Sequence, residues 1–456
     1  MIREVLVEPQ AIAWLPWAVS YFFFIGLALC SALIACYLHF GVKSYQIQAE
    51  LMALFVALSF AIVAPIALTA DLHQPGRVWH FYAYFANWSW MAWGSIFLPV
   101  FMLSLTGYIF FLIRQLPQQP TQSWLAWIYS GDLNNQLCCQ IFRILTIISS
   151  ILILLYTTME VYNVAARSLW HQPWLIPLIL FSAFPSALIL IHLAIYLATG
   201  ESIAISMKAV ILFCLILLGL TVLAINFYSD ATHYDLLLLW MHRPITHFTL
   251  GIWGITVIFT VLSDRHLLLQ VSLLIFSLSL TLLVRWVLLL EVQTIAKYNA
   301  LMNPYYFTWS TDYGLGMLSV LGLWITISII LWQIFNLIKK GEVAISGQDA
   351  RKWNLTQGDL VELSTPGGKA QVQLMVLDGV MPGVIAIEHG YGHKQLGATS
   401  YEIDGKVIRG NQQIQQGINI NDLGLLDETK EIKSPWLDWV CGSAVRQSLP
   451  ARLKKI

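Results

Sequence analysis

The chain has 456 residues, 58% of them hydrophobic and 11% charged, and its 25 Lys and Arg offset its 25 Asp and Glu. So sparse and balanced a charge excludes a basic nucleic-acid-binding face, and so apolar a composition excludes a disordered chain. The charges are also uneven: residues 1–340 hold 25 of them and the much shorter 341–456 the other 25, so the first part is built for lipid and the tail for water.

Nine apolar runs fill the first part, at 17–40, 51–70, 91–113, 143–163, 174–198, 207–227, 245–263, 268–290 and 313–338. Each has about 20 residues, enough to cross roughly 30 Å of hydrocarbon as a helix. Helix is required, because lipid offers an open backbone no hydrogen-bond partner. The run ends collect Trp14, Trp17, Trp79, Trp88, Trp90, Trp170, Trp174, Trp240 and Trp309, as an aromatic belt does. The first run lacks a short apolar core followed by a small-residue cleavage site and reads as a retained helix.

Nine crossings put the termini on opposite sides. One side collects Arg3, Arg77, Arg167, Arg243 and Lys297; the other collects Lys43, Arg114, Arg143, Lys208, Arg265, Lys339 and Lys340. The basic excess on the second side predicts an external amino terminus and a cytoplasmic tail. Cys30, Cys36 and Cys214 fall in membrane runs, Cys138 and Cys139 are adjacent, and Cys441 is alone in the tail. Without a C-x-x-C pair, an intrinsic iron–sulfur cluster or zinc finger is not expected.

The polar residues at the run ends carry the functional signal. Asp71 ends the second run, Glu160 lies near the end of the fourth, Arg285 sits within the eighth, and Glu291 and Gln293 stand at its exit. The alternation of spans brings these exits to one face, so Asp71, Arg77, Glu160, Arg285 and Glu291 are expected in one layer. A charge at helix depth costs a few kcal/mol or more unless paired or wetted. One reading is a quinone site, with Asp71, Glu160 or Glu291 taking protons and Tyr21, His80, Tyr82 or Tyr84 holding an oxygen. The other is structural: an Asp71–Arg77 loop clamp and a buried Arg285–Glu160 or Arg285–Glu291 pair. A b-type haem would need two inward-facing His from different spans. His192 and His247 lie within runs and His39 closes the first, without an obvious matched pair.

Four stretches stand out: W-L-P-W-A-V-S-Y-F-F-F-I-G-L-A (Trp14 to Ala28), D-L-x-x-P-x-R-x-W (Asp71, Pro75, Arg77, Trp79), W-S-W-M-A-W-G-S (Trp88 to Ser95) and Arg285 to Tyr305. Through them residues 1–340 resemble the NrfD/polysulfide reductase family of membrane proteins, within it the tetrathionate-reductase branch. The resemblance implies an all-α bundle of nine transmembrane helices and a haem-free quinol dehydrogenase subunit in a bacterial inner membrane. Electrons from menaquinol or ubiquinol would pass to a ferredoxin-like iron–sulfur subunit, then on to a molybdopterin catalytic subunit. Members of the family often carry Gly–Gly or Gly–Gln where this chain has Leu290–Glu291, so a carboxylate here would alter proton uptake or satisfy Arg285. The same scaffold is used for proton coupling elsewhere. Ion translocation would need ionisable residues across the mid-membrane, whereas these gather at one edge.

The tail, 341–456, alternates apolar stretches with turn signals at 354–358, 366–368, 378–379 and 381–383. Strands are predicted at 360–364, 370–376 and 384–387, in a small soluble β-barrel. The stretches Ile345 to Arg351, Gln357 to Gly368, Gly379 to Val384, His389 to His393 and Gly442 to Arg452 resemble the C-terminal dinucleotide-binding barrel of molybdopterin oxidoreductases. In such barrels polar loop groups and backbone N–H hold the pterin phosphates and the guanine. One barrel of about 116 residues would leave most of a molybdopterin wet, which argues against catalytic binding by the tail. The simplest account is an in-frame fusion of a membrane subunit with the end of its catalytic neighbour, the tail being vestigial or the whole chain a non-functional remnant. Gly390 and Gly392 make His389 and His393 a loop pair and not a helical metal site.

Overall fold

The computed structural model describes residues 11–41, 47–72, 74–115, 134–199, 207–262, 267–296, 302–311, 313–338, 342–356, 359–377, 379–387, 401–403, 406–408, 423–424, 426–427, 434–435 and 450–455. Nine helices among them are long and apolar enough to cross a membrane. These are α1 (Pro16–Gly41), α2 (Ile47–Asp71), α4 (Trp90–Ile113), α5 (Asn135–Tyr162), α6 (Leu175–Thr199), α7 (Met207–Asn226), α9 (Pro244–Leu262), α10 (Leu267–Trp286) and α12 (Gly314–Ile338). A π turn, Val287–Glu291, and α11 (Val292–Thr294) continue α10. Two short helices join spans: α3 (His80–Ala83), after the 3-10 turn Pro75–Arg77, and α8 (Asp230–His242).

Each expected run is helical. Two details differ. α5 starts eight residues before its apolar run, because Asn134 caps it by accepting from Leu137 N at 3.1 Å. This puts Arg143 inside a span, so it is no loop charge and drops out of the topology count. α8 was not expected, although Ser229 and Thr232 build a capping box at its start.

The spans bury polarity and expose hydrocarbon. On α5, Arg143, Thr146, Ser149, Ser150, Tyr156 and Thr157 face inward, while Ile141, Ile144, Leu145, Ile148 and Ile151 are exposed. That arrangement suits lipid and would fail in water, since each inward hydroxyl must find a partner. They do: Thr146 and Ser150 bond back to Phe142 O and Thr146 O, and Ser149 meets Ser104 of α4 at 2.8 Å. α1 is the hub and touches α2, α5, α6, α10 and α12. Beside it, Trp324 of α12 stacks on Phe60 of α2 at 5.1 Å and donates to Ser59 Oγ at 3.1 Å.

The described tail residues form β1 (Glu342–Ile345), α13 (Gly347–Lys352), β2 (Leu360–Thr365), β3 (Gly368–Val376), β4 (Ala386–Ile387), β5 (Tyr401–Ile403), β6 (Lys406–Ile408), β7 (Leu426–Asp427), β8 (Ser434–Pro435) and β9 (Arg452–Lys455). Five strands make one sheet in the order β4-β1-β3-β2-β9; β1 and β3 are parallel and the other pairs antiparallel. Ile345, Val361, Leu363, Val372 and Leu374 fill one core beneath it. The β2–β3 turn is tight: a Cβ at Gly367 would lie 1.8 Å from Gly424 O. Among the described residues the expected barrel is seen as this five-stranded sheet and two separate two-stranded sheets, and its edge strands β4 and β9 each pair with an inner strand and not with each other.

Candidate functional site

Start with α1. Tyr21, one turn into it, is 0% exposed. The Tyr156 phenol of α5 faces both Tyr21 and the carboxyl of Glu160, one turn further along α5. Tyr21 Oη and Glu160 Oε2 are buried within hydrogen-bonding reach of that phenol, yet neither oxygen makes a hydrogen bond of full geometry. A buried polar atom left unsatisfied costs about 1–3 kcal/mol, so these two oxygens have capacity for a further polar partner. Asp71, the last residue of α2, lies within electrostatic range of Glu160. Tyr21, Asp71 and Glu160 are thus brought together, with Tyr156, which sequence reasoning missed.

Arg285 lies elsewhere. It is 0% exposed and donates from Nη1 to Ser182 Oγ at 2.8 Å, from Nη2 to Ile179 O at 2.7 Å and from Nε to Phe22 O at 3.4 Å. Nη2 lies over α1, 3.2 Å from where a Cβ at Gly26 would be. It pairs with neither Glu160 nor Glu291, so the expected buried ion pair is not formed. Carbonyl dipoles and one hydroxyl carry its charge instead, and Ser182, Ser186, Ser277 and Thr281 extend that polar seam between α6 and α10.

Glu291 ends the π turn and pairs with Arg243, at the junction of α8 and α9; Trp286 Nε1 donates to its other oxygen at 2.9 Å. The departure at Leu290–Glu291 therefore answers Arg243 and not Arg285. The π turn is held from outside: Trp170 Nε1 donates to Leu288 O at 2.6 Å, and Arg167 donates to Val292 O at 2.7 Å and Ile295 O at 3.0 Å. Burial holds the Arg167 guanidinium below its ordinary pKa, with Asp235 opposing the shift. Gln293 accepts from Ala13 N and Trp14 N, both at 3.1 Å, and so fastens the chain entering α1 to the exit of α10. π turns gather at functional sites because they re-aim side chains within a helix.

Arg77, His80, Tyr82 and Tyr84 are exposed on the connection from α2 to α4. His80 stacks edge-on against Trp79 at 4.0 Å and Tyr84 at 5.5 Å. They lie on the surface beside the Asp71 end of α2, apart from Tyr21. His192 is buried in α6, and His247 is exposed in α9 against Trp240 at 4.0 Å. They stand at opposite ends of the bundle, which is not a haem-ligand geometry. Among the described residues no three of His, Cys, Asp and Glu converge as a metal site.

A second buried cluster occupies the opposite end. Arg143 Nη2 meets Glu50 Oε1 at 3.2 Å, Arg143 Nε donates to Tyr108 Oη at 2.7 Å, Tyr108 Oη donates to Glu50, and His39 Nδ1 approaches Glu50 Oε2 at 3.4 Å. Glu50 stands just outside the second run and Arg143 at the edge of the fourth, so both pass in sequence for loop charges. The signal that finds them is the spacing Arg143, Thr146, Ser149, Ser150, Tyr156, Glu160, a polar stripe of helical period.

In the tail, Asp349 accepts from Ser346 Oγ at 2.8 Å and Gly383 N at 2.6 Å, and Thr365 Oγ1 donates to Leu423 O at 2.6 Å. Among its described residues no buried side-chain polar atom is left open. His389, His393 and Cys441 lie outside the described residues.

Residues 4–297 match the family model described as "Polysulphide reductase, NrfD", and residues 335–434 match the "Molydopterin dinucleotide binding domain". The chain is 38% identical over 358 residues to one subunit of the tetrathionate reductase of Salmonella typhimurium, covering 74% of this chain and 96% of that protein. It is 53% identical over 114 residues to a second, much longer subunit of the same reductase, 25% of this chain but 11% of that protein. A selenate reductase subunit from Mesobacillus selenatarsenatis is 32% identical over 112 residues, 24% of this chain and 26% of that protein. A bundle of nine candidate spans, matched over most of its length, is thereby identified: the chain belongs to the NrfD polysulphide reductase family and carries a tail matching the molybdopterin dinucleotide-binding domain.

Proposed function

We propose that residues 1–340 form the quinol-oxidising membrane anchor of a tetrathionate-type reductase, and that quinol is oxidised at Tyr21, Tyr156 and Glu160. The observation that supports this is a buried Tyr156 phenol in reach of Tyr21 and Glu160, with Tyr21 Oη and Glu160 Oε2 away from water and without a hydrogen bond of full geometry. A quinol hydroxyl supplies both a donor and an acceptor, and apolar spans supply the walls for its ring. Glu160 accepts a proton from the hydroxyl while a phenol holds the oxygen; Asp71 receives the second proton on the way to the face carrying Arg77. Two electrons leave, one at a time, to an iron–sulfur centre in a partner protein. The quinol thus becomes quinone, with two protons released at that face.

The exposed run from Arg77 to Tyr84 fits a docking edge for that partner, and sulfur-oxyanion chemistry belongs to a molybdopterin subunit. With Arg143 out of the count, six basic residues against five still favour the amino terminus outside and the tail in the cytoplasm, in a bacterial inner membrane. There the tail does not reach an external catalytic subunit, so we read 341–456 as a vestigial fusion. The test is inhibitor-sensitive oxidation of a menaquinol analogue by the complex in membranes: Asp71→Ala and Arg77→Ala should stop it while the complex still assembles.

One observation favours a second reading, ion translocation. The Glu50–Arg143 cluster and the α5 stripe put protonatable and hydroxyl groups along the bundle, not at one edge alone. Ion translocation predicts a quinol-driven pH change on the far side of sealed vesicles that Glu50→Gln abolishes; turnover without such a change excludes it.

A further inference from the structure

Two glycines of α4 face α5, and each receives an aromatic ring. A Cβ at Gly94 would lie 2.3 Å from Tyr156 Cζ, 2.5 Å from Cε2 and 2.6 Å from Oη. A Cβ at Gly107 would lie 2.3 Å from Phe142 Cε1 and 2.4 Å from Cδ1. Between the two notches the Ser104–Ser149 bond, 2.8 Å, pins the antiparallel register. The steric demand is the same at both ends. The chemistry differs, because Phe142 offers no polar atom, whereas Tyr156 Oη is the atom that faces Tyr21 and Glu160.

Gly94 lies in the second turn of a membrane helix, where glycine is a poor helix former and needs another reason to be there. Tyr156 is 2% exposed and its phenol interacts with Tyr21 and Glu160, so it has little room to yield. A methyl group at 94 would overlap both the ring and its hydroxyl and must displace them, and with them the hydroxyl's approach to Glu160.

We propose that Gly94 is a positioning residue for quinol oxidation, its missing side chain being the seat that aims the Tyr156 hydroxyl at the Tyr21–Glu160 gap. This rests on the quinol reading above. Gly107 is the matching notch with a packing role only, which gives the bundle an internal control.

The test uses the complete complex in membranes and compares Gly94→Ala, Gly107→Ala, Tyr156→Phe and Gly94→Ala in the Tyr156→Phe background. Thermal inactivation and menaquinol-analogue kinetics are followed for each. Both alanine variants should lose similar thermal resistance. Only Gly94→Ala should lower quinol kcat/KM, by about tenfold to a hundredfold, the cost of misplacing a reacting contact by an ångström. In the Tyr156→Phe background the same change should cost less than about twofold more, because the two act through one hydroxyl. Equal kinetic losses in the two alanine variants, normal kinetics in Gly94→Ala, or losses that simply multiply in the double variant would overturn the assignment. Normal turnover by Tyr156→Phe would sink the quinol site and this inference with it; an impaired Tyr156→Phe beside a normal Gly94→Ala would sink this inference alone. Should Gly94→Ala fail to accumulate, Tyr156→Ala in the same chain removes the ring and should restore it; no restoration also overturns the assignment.

Discussion

Glu50 and Arg143, 93 positions apart, form an ion pair at 3.2 Å in which both side chains are almost fully buried. The Tyr108 phenol closes it and the Phe40 ring covers the guanidinium at 5.5 Å. Four helices, α1, α2, α4 and α5, meet at this one charge pair. Breaking a buried pair by removing one partner costs about 3–5 kcal/mol, because the other charge is left uncompensated. Glu50→Ala should therefore lower the thermal midpoint of the detergent-solubilised chain by several degrees, and Glu50→Ala with Arg143→Leu should recover much of the loss.

Trp170 and Arg167 hold the π turn through its carbonyls, and Gln293 ties the start of α1 to the same place. Arg167→Ala removes charge-assisted bonds to the helix end, each worth about 1.5–3 kcal/mol. Faster hydrogen exchange should appear at 287–295. Unchanged exchange there would show the turn to be held by its own spans.

Arg285 carries a buried charge on carbonyls and a serine. Lys in its place keeps the charge but offers a single donor position against three separated acceptors. Arg285→Lys should destabilise the bundle by about 2 kcal/mol or more, the scale of a buried acceptor left open, read as a lower thermal midpoint. Gly26→Ala, which presses on the same guanidinium, should act in the same direction.

The tail reports pH. Burial alone would raise Asp359, but the Lys455 ammonium at 2.7 Å and the Thr356 N–H outweigh it and hold the carboxyl below its ordinary value. A carboxylate depressed in the folded state adds stability above its unfolded pKa and loses it as pH falls through the folded one. Exchange protection of β9 against β2 should therefore be constant near neutrality and fall once the pH drops below the ordinary carboxylate range. Lys455→Ala removes much of that depression and should lower protection near neutrality while shrinking the fall in acid.

The spans were legible because lipid dictates their length and polarity, and the tail strands because turn residues bracket them. The nearness of Asp71 and Glu160 was legible from the alternation of crossings. What sequence could not supply was the division of charges among partners. Arg285 has an obvious carboxylate in Glu291 six residues away, yet the π turn swings Glu291 toward Arg243. Nor does a sequence say that an exposed-looking Arg143 is two turns inside its helix, since the Asn134 cap lies in polar sequence upstream. Tyr156 escaped notice because an aromatic within an apolar run is ordinarily core. His80, Tyr82 and Tyr84 drew notice for their residue types and lie on the surface.

The central claim is that the Tyr156 phenol between Tyr21 and Glu160 is where quinol is oxidised. The direct measurement is single-turnover reduction of the partner's iron–sulfur centre by a menaquinol analogue in the assembled complex. Tyr156→Phe and Glu160→Gln should each slow it by about a hundredfold or more, as loss of a proton acceptor or its orienting group does, while Tyr84→Phe leaves it unchanged. Normal reduction in both of the first two variants, or loss only when the exposed tyrosine is changed, would contradict the account.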